Sequence, residues 1–73
     1  MQVNLLSCDQ DRPDRRAIAR TIENIADGVD SNLANELTDI MLDGSPVDIS
    51  ISDNTSSAFR ALRKLGVDYE IVE

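Results

Sequence analysis

The segment Gly44-Ser-Pro-Val-Asp-Ile-Ser-Ile-Ser-Asp-Asn-Thr-Ser-Ser-Ala-Phe-Arg-Ala-Leu-Arg-Lys-Leu-Gly-Val-Asp-Tyr-Glu-Ile-Val-Glu73 carries the clearest structural pattern of this chain. Apolar and polar residues alternate over 47–51 and again over 67–71, which is the period of strands with one buried face. Between these runs, apolar residues recur at helical spacing, Ser52 or Asp53 can cap the helix, and a glycine follows it. The segment therefore predicts strand, helix, strand.

The residues before this segment predict one further strand and two helices. Gln2–Cys8 is an apolar run typical of a mostly buried strand. A helix is predicted to follow, with Pro13 in its first turn and with Asp11 and Asp14 as an acidic pair at its start. This first helix is expected to run to about Asp27.

The second helix is predicted to open at Asp30 or Ser31 and to end at Gly44, after which Pro46 begins the second strand. Its apolar spacing of 0, +1, +4, +7 and +8 predicts a buried face. That face consists of Leu33, Ala34, Leu37, Ile40 and Met41. Residues 1–73 are thus predicted to form a single two-layer α+β domain with the order β-α-α-β-α-β. Three helices are expected to cover one face of a small three-stranded sheet.

Composition argues against several classes of activity. Seven basic residues stand against fourteen acidic ones, for a net charge of -7, so we expect neither nucleic-acid binding nor attachment to an anionic membrane. Histidine is absent and Cys8 is the single cysteine, so no zinc site, cofactor or catalytic machinery is predicted. The start of the chain lacks a signal-peptide pattern, and a lone thiol fits a reducing compartment, which together favour the cytoplasm.

Acidic residues are concentrated in the middle of the chain. From Thr21 to Phe59 there are eight acidic residues and no basic one. This segregation indicates either a solvated face or a surface for a basic protein partner. The residues predicted to contact such a partner are Asp27, Asp30, Asn32, Asn35, Glu36 and Asp39.

A second acidic group follows the first strand. Asp9, Asp11 and Asp14 are the one set of carboxylates that resembles a metal site, although the spacing fits helix capping better. Cys8 has no histidine to activate it, so it is interpreted as a half-buried thiol and not as a nucleophile. No metal is predicted, and an enzyme with a carboxylate-bound metal is kept as an alternative.

Three local sequences resemble a superfamily with two branches. Met41-Leu-Asp-Gly-Ser-Pro46 and Ala61-Leu-Arg-Lys-Leu-Gly-Val-Asp-Tyr-Glu-Ile71 are similar to the C-terminal domain of the bacterial ribosomal stalk protein. Leu5-Leu-Ser-Cys-Asp-Gln-Asp-Arg-Pro13 is similar to the end of the first strand in the Clp-protease N-end-rule adaptors. In those adaptors an Asn-Asp pair binds an α-amino group. Asp9 matches the aspartate, and Cys8 stands in place of the asparagine.

The resemblance implies a domain that acts by protein–protein contact, with Asp9 as a candidate for binding a cation or an amino group. We therefore predict a small acidic adaptor or recruiting module that is a monomer or a weak homodimer. An inhibitor encoded by a phage or mobile element, which binds a basic surface of a host protein, remains the other hypothesis.

Overall fold

A computed structural model describes residues 1–52 and 55–72 of the chain. Three strands and three helices follow each other in the predicted order β-α-α-β-α-β, which confirms the α+β fold. Asp53, one of the two predicted caps of the third helix, lies outside the described residues. The elements are β1 (Gln2–Cys8), α1 (Arg15–Ile25), α2 (Ser31–Leu42), β2 (Val47–Ser50), α3 (Thr55–Lys64) and β3 (Val67–Ile71).

The three strands form one antiparallel sheet with the order β2-β1-β3. Val3 pairs with Ile49 of β2 and with Ile71 of β3, and Leu5 pairs with Val47 and Tyr69. These residues share the face that the helices cover. A register shift between Leu5 and Ser7 interrupts the pairing of β1 with β3. The alternate residues form an open, polar face, with Asn4 opposite Asp48 and Glu70.

The helices form a layer in which α1 lies between α2 and α3, since α1 contacts both and these two do not contact each other. Aspartates cap two of the helices. The Asp14 side chain accepts a hydrogen bond from Ala17 N at 3.1 Å, and the Asp30 side chain accepts one from Leu33 N at 2.8 Å. The cap at Asp30 confirms the predicted start of α2.

The predicted starts of α1 and β2 are displaced, and α1 ends at Ile25, two residues before the predicted Asp27. Because Asp14 is the N-cap, α1 begins at Arg15 and Pro13 precedes the helix instead of occupying its first turn. Asp14 is the member of the predicted pair that caps the helix. β2 begins at Val47, one residue after Pro46, whose ring nitrogen cannot donate to the ladder.

The core consists of apolar residues from all six elements. Its largest fully buried apolar side chains are Leu5, Ile18, Ile22, Met41, Ile51, Leu62 and Val3. Gly66, at a φ of 76°, makes the turn between α3 and β3, a backbone conformation that side-chain-bearing residues rarely adopt. Among the described residues, no helix is long and apolar enough to cross a membrane.

The predicted buried face of α2 was wrong at two positions. Leu33 is 39% exposed and Ile40 is 45% exposed, whereas Thr38 is fully buried between Ala34 and Met41 in the helical sequence. The Thr38 hydroxyl donates to Ala34 O at 2.7 Å, so its burial leaves no unpaired polar group. The helix is therefore rotated about its axis toward Thr38, and the edge of its apolar arc faces solvent.

Candidate interaction surface

The six residues predicted to contact a partner lie on α2 or just before it, but three of them have structural roles. Asp27 accepts a hydrogen bond from Ser52 Oγ at 3.0 Å, which links the turn after α1 to the end of β2. Asp30 caps α2. Both carboxylates are exposed, but each is already engaged within the domain.

Asp39 is paired with Arg15, so one member of the acidic run has a basic partner on another helix. The Arg15 guanidinium approaches both carboxylate oxygens, and its Nη2 lies 2.9 Å from Asp39 Oδ2. The hydrogen bonds from Arg15, together with its positive charge, hold the pKa of Asp39 below its ordinary value. The two side chains are 47% and 60% exposed, so the pair links α1 to α2 at the surface and contributes little stability.

We expect Arg15→Gln to raise the pKa of Asp39 toward its ordinary value. The lowered pKa means that the stabilisation from this pair is complete above the pKa of the unfolded carboxyl group. It is lost as the pH falls through the lower pKa of the folded state. A carboxyl-carbon NMR titration measures the shift, with Arg16→Gln as the control that should leave Asp39 unchanged. An identical Asp39 titration in Arg15→Gln would contradict the ion pair.

Asn32, Asn35 and Glu36 are exposed. Their side chains make no hydrogen bond or ion pair with residues 1–52 or 55–72. Glu36 has a particular position, since it is three residues after Leu33 and four before Ile40. Residues at these spacings are neighbours on a helix surface.

Leu33, Glu36 and Ile40 therefore form one continuous patch, which we call the outer strip of α2. Leu37, half-buried against the core, lies beneath it. The sequence analysis included Glu36 but assigned the two apolar members to the core. The available signal was the width of the apolar arc of α2, which is larger than one buried face needs.

The residues that follow β1 do not come together as a site. Asp9 is exposed, and its backbone N donates to Gly66 O at 2.9 Å. Asp11 is exposed, and Asp14 is the cap of α1. Within the described residues, no group of three His, Cys, Asp or Glu side chains is placed to hold a metal ion. Cys8 is half-buried, as predicted, and its Sγ donates to Leu65 O at 3.4 Å.

Comparisons of this chain with protein-family models, with curated proteins and with solved structures gave no match. The resemblance to the ribosomal stalk domain and the Clp-protease adaptors therefore stays a prediction.

Proposed function

We propose that this domain is a non-catalytic protein–protein interaction module that binds a basic partner through the outer strip of α2. The observation that carries this proposal is the exposure of Leu33 and Ile40 on either side of Glu36. Exposed apolar side chains grouped on one helix face, with charged neighbours, are typical of docking sites. An adaptor or recruiting role of the stalk or adaptor type fits such a surface.

The chemistry of the strip defines its partner. Leu33 and Ile40 supply apolar surface that a partner would bury on binding, and Glu36 supplies a negative charge between them. Asp30 and Asp43, at the two ends of α2, add negative potential without basic neighbours on the same helix. A partner with lysine or arginine side chains around an apolar centre would match this arrangement and would bind faster at low salt. We place the complex in the cytoplasm, where a free thiol such as Cys8 stays reduced.

Glu36→Lys is the sharpest test, because Glu36 neither caps the helix nor pairs with another described residue. Charge reversal at Asp30 would also remove the cap of α2, and charge reversal at Asp39 would also break its ion pair with Arg15. We expect that immobilised wild-type domain retains a partner from a lysate of the source organism at low salt, and that Glu36→Lys loses it. The same substitution at Glu70, exposed on the open face of the sheet, is the matched control and should retain the partner.

Salt and sequence together decide the outcome. A partner released by raised salt and lost only with Glu36→Lys supports the proposal. Equal retention by wild type and Glu36→Lys contradicts it, and so does equal loss with both lysine variants, which would show that net charge alone attracts the bound protein.

A further inference from the structure

A second surface lies on the opposite flank of the helical layer, along α3. Ser56, Phe59, Arg60 and Arg63 line an open cavity of about 270 Å³. These residues occur at 0, +3, +4 and +7, so they occupy one face of the helix. The face is basic, in contrast to the acidic α2, and α1 separates the two helices.

Two of the residues that line the cavity contact strand β3. The rings of Phe59 and Tyr69 stack with their centroids 4.8 Å apart and their planes 7° from parallel. Arg63 Nε donates to Tyr69 Oη at 3.3 Å. Phe59 and Arg63 therefore connect the cavity-lining face of α3 to β3, and we call the surface along these two elements the groove between α3 and β3.

β3 is an edge strand, so one of its sides lacks a neighbouring strand within the described residues. Val72 N donates to Gln2 O at 2.9 Å, so the backbone N–H and C=O groups of Val72, and of Glu70 two residues earlier, point toward β1. Along an antiparallel strand, the backbone N–H and C=O groups of successive residues point alternately toward the two neighbouring positions. Those of Tyr69 and Ile71 therefore point toward the free edge. Such an edge can accept an added strand from a partner.

Charge at this edge differs between its two sides. On the helix side lie Arg60 and Arg63, and within residues 1–52 and 55–72 the only ion pair is Arg15 with Asp39. On the open side of the sheet, Asp68 and Glu70 are exposed. An incoming strand would therefore fit best with acidic side chains toward α3 and with uncharged or basic ones on the other side.

We propose that the groove between α3 and β3 binds an extended acidic peptide, which pairs with the free edge of β3 and places its carboxylates against Arg60 and Arg63. Ile71, 50% exposed on the helix side, supplies apolar contact along the same strand. This site is separate from the outer strip of α2. A domain with both sites would bring a basic and an acidic partner together.

A fluorescein-labelled peptide of four Glu-Thr repeats tests the proposal, with four Lys-Thr repeats as the control peptide. We expect the Glu-Thr peptide to bind at low salt and the Lys-Thr peptide not to bind. Arg60→Glu with Arg63→Glu should weaken its binding by about tenfold or more. Arg16→Glu with Arg20→Glu changes the net charge equally on α1 and should leave most of the affinity. If the variant with glutamate at positions 60 and 63 does not fold, glutamine is substituted instead at positions 60 and 63 and, in the control, at positions 16 and 20.

Hydrogen exchange distinguishes strand addition from simple attraction. The amides of Tyr69 and Ile71 should become protected when the Glu-Thr peptide binds, whereas inorganic phosphate should protect neither. Equal loss of affinity in both charge-reversed pairs, or peptide binding without protection of these amides, would overturn the proposal. Protection of both amides without peptide, rising with protein concentration, would show that a second copy of the chain occupies the edge, and would also overturn it. The outer-strip variant Glu36→Lys should leave peptide binding intact, so the two proposals fail independently.

Discussion

Replacing Leu33 and Ile40 together by alanine is expected to weaken binding of the basic partner by about 10- to 100-fold. Each side chain still exposes a large part of its surface, and covering that part on binding is worth about 1 kcal/mol per residue. Losing both contributions removes about 2 kcal/mol, which is more than the removal of one exposed charge would cost. The affinity of the partner captured by the wild-type domain, measured by titration calorimetry, tests this expectation.

The control for this double variant is Ile71→Ala with Val72→Ala. These two residues are 50% and 59% exposed on and just after β3, a strand that α2 does not contact, so the variant deletes a similar amount of exposed apolar surface. We expect it to leave the affinity for the basic partner unchanged. Equal affinity of the Leu33/Ile40 variant and the wild type would show that the outer strip is not the docking site.

Most of the fold could be predicted because its signals are local. Apolar and polar residues alternate along strands with one buried face, as over 67–71. Helix ends require particular residues, as with Asp30 before α2 and Gly66 after α3. The boundary at Pro13 was missed because Asp11 and Asp14 are competing helix-start residues within four positions. Local sequence does not decide between them, whereas the bond from Ala17 N to Asp14 does.

The candidate surfaces were harder to predict because they depend on tertiary placement. Ala34 and Met41 were correctly predicted to face the core, but threonine at position 38 gave no sign that it, and not Leu33 or Ile40, would be buried beside them. That choice follows from how α2 rotates against the sheet. The acidic run likewise gave no sign that Arg15 from another helix would approach Asp39. The groove on α3 did have a local signal, the spacing of Phe59, Arg60 and Arg63, but its meaning depends on the neighbouring edge strand.

The exposed apolar residues of α2, which the helical pattern did not predict, have a physical use. A helix that exposed no apolar residue would gain little by binding a partner, and one that buried all of its apolar residues would have none to offer. Exposing Leu33 and Ile40 costs solvation free energy in the isolated domain, and a partner that covers them recovers it. The same reasoning makes the contrast between exposed and buried leucines measurable.

Leu5→Ala is expected to destabilise the domain by about 2 to 5 kcal/mol. Leu5 is fully buried on the central strand and pairs with residues of both neighbouring strands. The cavity that the alanine leaves would therefore lie between the sheet and the helices. A domain of this length has a total stability of about 4 to 11 kcal/mol, so the substitution removes a large share of it. Urea denaturation followed by circular dichroism measures the loss, and Leu5→Val keeps the comparison possible if the alanine variant is unfolded in water.

Leu33→Ala is the matched control, because it deletes the same isopropyl group from a residue that is 39% exposed. We expect this variant to lose less than about 1 kcal/mol, since leucine and alanine both favour helices and less burial is lost. The pair of measurements separates the roles of the two leucines, one for stability and one for binding. A loss in Leu33→Ala as large as in Leu5→Ala would mean that Leu33 is part of the core after all, and the outer strip of α2 would then have only one exposed apolar residue to offer a partner.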